Sequence, residues 1–444
     1  MLHALELSTD PKFIYRIWSC QLRIKFLAME DQVEGVKVLQ VCTVAPSKGA
    51  TTNSSTPITS LPLTFFDLLW LRSPPVERLF FYQLPNPTIS FFDTILPNLK
   101  HSLSLTLQHF LPLAGSITWP QDSPHPIINY VPGNAVSFTV AESTTDNFTT
   151  LCSNTCEASQ RHPLIPHLAT SHEQASLMAL QVTLFPGSGF SIGIATHHAA
   201  MDGKASTLFL KAWAYVCSNN LTESSLLSLP KHLTPFYDRS MIKDATGMGS
   251  MYVQTWLNIG GPNNRSMKVW DLGGGNATLN ESVRGSFELT SSHIQQLKRH
   301  AKPKLKENAH VSTFSVTCAY VLQCLVKAEQ PKTEGVAFSF SVDCRSRLEP
   351  PVPSTYFGNC IVGHKIMDGQ RSFWEMMVSW MLLKGWMKLW RSWRTECWVR
   401  QWLCLQWWEL GGIIEYIQLQ GHQDLRCIVL ILDGEDLRRW IWHL

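Results

Sequence analysis

The sequence predicts an α/β protein of more than one domain, and three observations carry that reading. The chain has 444 residues, 45% of them hydrophobic and 16% charged, which is more than a single hydrophobic core usually serves. Apolar runs of strand period alternate along it with segments of helical period, and no internal repeat is visible. One stretch, "ASLMALQVTLFPGSGFSIGIATHH" followed by "AAMDGKASTLFLKAWAYVCS", reads as a hairpin that runs directly into a helix.

Composition excludes several function classes. A net charge of +3 with no long like-charged run argues against a nucleic-acid partner, since phosphate binding needs a basic stripe. No stretch of about 20 apolar residues is present, so no membrane span is expected. The 12 cysteines form no C-x-x-C pair and no secreted framework, which points to reduced thiols in a cytoplasmic protein. The sequons at Asn147 and Asn220 matter only in a secreted chain. The first 28 residues are mixed in charge and lack a small-residue cleavage site, which makes a poor signal peptide. Residues 1–28 are read as a non-native extension, with Met29 as the start.

In chain order, "VKVLQV" alternates roughly as a half-buried strand does. "GATTNSSTPITS" is a polar loop. "LPLTFFDLLWL" and "LPNLKHSLSLTLQHFLPLAGSI" read as a strand or loop leading to an amphipathic helix, with Leu99, Leu103, Leu105 and Phe110 near one face. Pro186, Gly187, Ser188 and Gly189 supply the hairpin turn. Beyond Asp202 and Gly203 a helix is expected to bury Leu208, Ala212, Trp213 and Val216. The polar stretch "NNLTESSLLSLPKHLTP" suits a crossover between domains. A second mixed half follows, in which the strand "EGVAFSFSVDCRSR" leads into the Pro-rich turn "LEPPVPSTYFGNC".

The stretch "THHAAMDG" admits three readings. A metal site is disfavoured because His197 and His198, adjacent on a strand expected to end at His198, point to opposite faces, and no carboxylates cluster nearby. A histidine tied by backbone hydrogen bonds at a strand end is the bland default. A general base gains from context: a strand before it, Asp202 after a tight loop, and Gly203 easing the sharp turn into the helix. The spacing H-x-x-x-D alone is weak, since it recurs from His364 to Asp368.

Three motifs in order, "LPLTFFDLLWL", "HHAAMDG" and "TYFGNC", together resemble the plant BAHD acyltransferases, which depend on coenzyme A. The resemblance runs from about Met29 to about Asp368, and "LPLTFFD" with "YFGNC" resembles the branch that moves malonyl groups onto sugars of anthocyanins and other phenolic glucosides. It implies two chloramphenicol-acetyltransferase-like α/β domains with mixed sheets and a channel between them, here 29–225 and 226–370, the second incomplete. It implies a catalytic pair, His198 as general base and Asp202 as the structural aspartate, with Arg345 of "SVDCRSR" as the partner of Asp202. Tyr356, Phe357, Gly358, Asn359 and Cys360 are then a packed turn that shapes the site. The implied co-substrate is an acyl-CoA, malonyl-CoA above all, and the acceptor a glycosylated phenolic. No bound cofactor, metal, nucleic acid or membrane is implied, and the enzyme would be a cytoplasmic monomer. Histidine suits this chemistry, because moving an acyl group from a thioester to an alcohol needs a base of near-neutral pKa to take the hydroxyl proton. A non-catalytic relic of the same family is the alternative.

One departure is large. The family carries D-F-G-W-G near its C-terminus, and this chain has no such string. Residues 371–444 hold 11 of the 17 tryptophans and no proline, alanine or asparagine, a composition unlike that of a folded domain. Because Trp and Met each have one codon, much of the underlying DNA can be re-read one base out of register. That displacement permits Glu-Glu-Leu-Glu-Asp-Gly-Val-Leu across Trp390 to Trp398 and Asp-Phe-Gly-Trp-Gly across Leu430 to Glu435. The expectation is a reading-frame shift between about Asp368 and Phe373, leaving an aberrant tail.

Overall fold

The computed structural model describes residues 35–47, 59–84, 90–145, 147–152, 160–219, 221–222, 228–270, 289–302, 313–329, 335–369, 416–420 and 429–432. The chain groups into two compact units, one built on Gln32–Ser286 and Val342–Val362, the other on Phe287–Ser341 and Gly363–Arg439.

The first unit contains strands β1 (Val36–Val44), β2 (Ser60–Pro62) and β3 (Val76–Gln83), with the short helix α1 (Phe65–Leu68) between the last two. Helix α2 (Leu96–Leu107), strands β4 (Ser116–Thr118), β5 (Ile127–Asn129) and β6 (Val136–Ser143), helix α3 (Phe148–Cys152) and strands β7 (Gln174–Ser176), β8 (Met178–Phe185) and β9 (Gly189–Thr196) follow. Helices α4 (Gly203–Ser218) and α5 (Met248–Asn258) complete it. Its main sheet has the order β1-β6-β8-β9-β3, parallel only between β6 and β8. A smaller sheet runs β2-β5-β4-β7. The hairpin expected around Pro186 is the β8–β9 pair, with Phe185 facing Gly189. Both strands lie inside the sheet and are buried almost throughout, which is why they read as continuous apolar runs rather than as alternation.

Helix α4 buries Leu208, Ala212, Trp213 and Val216, the face its periodicity predicts, and Trp213 donates its indole N–H to Ser102 Oγ of α2 at 3.0 Å. Helix α2 ends at Leu107, so Phe110 is not part of its face. Pro112 two residues beyond helps to stop the helix, and Phe110 is buried from the following turn, against Phe209 and Phe357. Strand β1 is where expected but is not half-buried: Val38, Leu39 and Val41 are 54%, 41% and 69% exposed. It is the sheet edge, and the pairing slips between Val38 and Gln40, a bulge of the kind that disrupts edge pairing.

The second unit contains α6 (Ser291–Ala301), α7 (Thr313–Glu329), and a sheet of order β11-β10-β12-β13, from β10 (Gly335–Asp343), β11 (Ile361–Gly369), β12 (Tyr416–Gln420) and β13 (Val429–Leu432). Strands β10 and β12 pair in parallel, Ala337 opposite Tyr416. These two strands of 416–432 are the only described part of the segment read as a displaced frame; the rest of 371–444 lies outside the described residues, as do 1–34 and most of the loop "GATTNSSTPITS". Among the described residues no helix is long and apolar enough to cross a membrane.

Candidate active site

The residues singled out in the sequence converge within the first unit. Strand β9 stops at Thr196, not at His198, because the backbone turns at His197. The Nδ1 of His197 accepts the Ala199 backbone N–H at 3.2 Å and so caps a 3-10 turn, His198–Ala200. The two histidines are therefore not alternate residues of one strand, and the opposite-face argument does not apply. His197 is instead turned to its own backbone. Among the described residues no group of three His, Cys, Asp or Glu side chains could hold a metal ion.

His198 is 2% exposed. Its ring stacks on the Trp70 indole, centroids 4.0 Å apart and planes within 5°, and its carbonyl accepts the Asn359 side-chain N–H at 2.9 Å. Burial lowers the pKa of His198 to about 4, against smaller opposing pulls that include Asp202, Asn359 and Asp67. Burial, and then the neighbouring His198, bring His197 down to about 4 as well. At neutral pH the His198 ring is thus uncharged, with a nitrogen lone pair to receive a proton, but burial makes it a weaker base than the near-neutral imidazole the sequence led one to expect.

Asp202 is the N-cap of α4: Oδ1 accepts the backbone N–H groups of Lys204 at 3.1 Å and Ala205 at 2.9 Å. Such a cap satisfies donors that a helix start leaves open. The same carboxylate takes Arg345 Nη1 on Oδ2 at 2.8 Å, Nη2 on Oδ1 at 3.0 Å, and the Cys360 N–H on Oδ2 at 3.0 Å. Gly203 opens the helix directly after this cap. Arg345 is 1% exposed and also donates to the carbonyls of Tyr356 and Gly358 and to Asp343 Oδ1. Burial works against its charge, but Asp202 outweighs it and holds the guanidinium pKa above its ordinary value.

The segment 356–360 is fully buried at Tyr356, Phe357, Asn359 and Cys360. Gly358 has φ +142°, and a Cβ there would lie 2.2 Å from Arg239 Nη1, so only glycine fits. Phe357 packs on Phe110 and Tyr237. The second H-x-x-x-D, His364 to Asp368, lies wholly inside strand β11 and lacks the strand–turn–helix setting of the first.

Three site residues escape the sequence reading. Asp67 of α1 is 0% exposed and receives Arg239 Nη1 at 3.0 Å, the Thr64 N–H and hydroxyl, and both N–H groups that Asn359 presents to it. Arg239 in turn reaches the Tyr356 hydroxyl at 2.7 Å and lies over its ring. Trp70 is the third. The available signal was Thr64-x-x-Asp67, a capping-box spacing in which a lone carboxylate sits within an apolar run.

Comparison with known proteins agrees with this picture. Residues 40–389 match the model of the Transferase family. The chain is 40% identical over 347 residues to phenolic glucoside malonyltransferase 1 of Arabidopsis thaliana, covering 75% of this chain and 72% of that protein. It is 39% identical over 337 residues to malonyl-CoA:anthocyanidin 5-O-glucoside-6''-O-malonyltransferase of the same plant, covering 75% and 71%. In structure it is similar to vinorine synthase, with TM-score 0.61 at 16% identity over 89% of this chain and 93% of that one, and that likeness establishes the mixed α/β two-domain fold. The chain belongs to the Transferase family and, within it, to the BAHD acyltransferases.

Proposed function

We propose that this protein transfers a malonyl group from malonyl-CoA to a sugar hydroxyl of a phenolic glucoside, with His198 as general base. The observation that carries the reading is the state of His198: buried, uncharged at neutral pH, its ring plane set by Trp70, on a turn whose far end is anchored by the Asp202–Arg345 pair. In this reading the acceptor hydroxyl oxygen attacks the thioester carbonyl as its proton passes to the imidazole. The resulting tetrahedral centre collapses, the carbon–sulfur bond breaks, and the coenzyme A thiolate leaves with the proton returned from His198. No covalent acyl-enzyme is needed. Asp202 does not touch the reacting atoms; it is a positioning residue, its oxygens taken up by Arg345 and by backbone N–H groups.

The choice of malonyl and of a phenolic glucoside is supported by the malonyltransferases to which the chain is 39–40% identical. The enzyme is taken to act as a cytoplasmic monomer. The test is product formation from malonyl-CoA with a simple phenolic glucoside, with the matching aglycone and with acetyl-CoA as comparisons. Malonylated glucoside, with little product from the aglycone, supports the proposal; transfer to the aglycone alone overturns the sugar assignment. The composition of 371–444 favours a second reading for the chain as written, a relic of the family that binds ligand without turning it over.

A further inference from the structure

Beside the Asp202–Arg345 pair lies a second buried ion pair, Asp67–Arg239, which the proposed chemistry does not use. A buried pair adds little net stability, because desolvation offsets most of the attraction; what this one does contribute is geometry. Asp67 Oδ1 takes both the backbone N–H of Asn359 at 2.8 Å and its side-chain N–H at 2.9 Å. That double contact fixes the carboxamide, and the same Nδ2 donates to the His198 carbonyl at 2.9 Å. The Asp67 backbone carbonyl meanwhile accepts the Trp70 N–H at 3.0 Å, and Trp70 stacks on the His198 ring.

One short stretch, Thr64 to Trp70, therefore grips His198 twice: at its backbone through Asn359 and at its ring through the indole. We propose that Asp67 and Asn359 are positioning residues for His198, with Arg239 holding the Asp67 carboxylate in place. The proposal deepens the reading of His198 as base and rests on it for its catalytic consequence.

Two variants test it in the frame-restored chain: Asn359→Ala, which removes the side-chain contacts to Asp67 and to the His198 carbonyl, and Asp67→Asn, which keeps the side-chain shape and serves if the first does not fold. Two quantities are read. With malonyl-CoA and a phenolic glucoside, kcat is expected to fall about tenfold, since a displacement near 1 Å can cost more than that, while KM for the thioester stays within about twofold. Independently of turnover, the rate at which diethyl pyrocarbonate modifies His198, followed by mass spectrometry against the exposed His172, is expected to rise about fivefold as the ring loosens, on the same displacement. A folded variant that melts earlier yet keeps wild-type reactivity at His198 overturns the proposal and makes both residues purely structural. A frame-restored parent chain without turnover, together with raised reactivity in the variants, leaves the positioning role standing and counts against the acyltransferase reading instead.

Discussion

Arg345 holds Asp202 by both guanidinium Nη atoms, Nη1 to Oδ2 at 2.8 Å and Nη2 to Oδ1 at 3.0 Å, across 143 residues of chain. Both side chains are excluded from solvent. The pair joins the start of α4 to the turn before residues 356–360, and through both it fixes the loop that presents His198.

Removing the Asp202 charge leaves the buried Arg345 with the more exposed Asp343 as its acidic partner, at a cost of about 3 kcal/mol, the low end for a broken buried pair. Asp202→Asn is therefore expected to lower stability by that order and to lower turnover with it, checked by urea denaturation and by initial rates. Lost turnover with unchanged stability would contradict the structural role and point to direct chemistry by Asp202.

Gly358→Ala places a methyl group 2.2 Å from the Arg239 guanidinium at φ +142°. Both the backbone conformation and the space oppose it, so a loss of about 2 kcal/mol or more is expected, within the range of strained backbone sites. The urea midpoint measures it, and a wild-type midpoint would show that Arg239 can move aside freely.

Acid should destabilise the protein from just below neutral pH. His197 and His198 fall to about 4 in the folded state because they are buried, whereas in the unfolded chain they titrate near 6.5. Between those values the unfolded chain binds more protons, so stability is full above about pH 6.5 and declines as pH falls toward 4. Denaturation midpoints at pH 7, 6 and 5 should decrease in that order, and His197→Gln should flatten the decline. An unchanged midpoint across this range would mean that the two rings are not held uncharged by burial.

Local pattern made much of this legible. The β8–β9 hairpin and the buried face of α4 follow from apolar runs, turn residues and helical spacing, all of which act between near neighbours. Sheet position does not. The alternation of "VKVLQV" identifies a strand, but whether it lies at an edge depends on partners about 100 residues away, and there Val38 and Val41 stand exposed. The end of β9 was hidden for another reason: nothing in "IGIATHH" breaks a strand, and the turn is made by a side-chain cap, His197 on Ala199. Arg345 as the partner of Asp202 came from family resemblance rather than spacing. Arg239 as the partner of Asp67, 172 residues apart, left no local trace, and Trp70 stood only as one letter of the motif "LPLTFFDLLWL".

The tail can be tested at the level of the gene. Restoring the frame by a single base between the codons for Asp368 and Phe373 is expected to give a soluble, active enzyme, and the chain as written an aggregating or nearly inactive one, since 371–444 hold 11 tryptophans and no proline, alanine or asparagine, a composition unlike that of a folded domain. Robust turnover by the chain as written would make the tryptophan-rich segment a genuine structural element.

The most direct test of the account is the rate of malonyl transfer to a phenolic glucoside by His198→Ala and by His197→Ala, measured on the frame-restored chain and on the chain as written. If His198 is the base, its loss should lower kcat about 1000-fold, in the range for a removed general base, while His197→Ala, which loses the cap on Ala199 and some buried packing, retains a substantial fraction of the rate. A His198→Ala enzyme that transfers malonyl at the wild-type rate, or a His197→Ala enzyme that alone is dead, would contradict it.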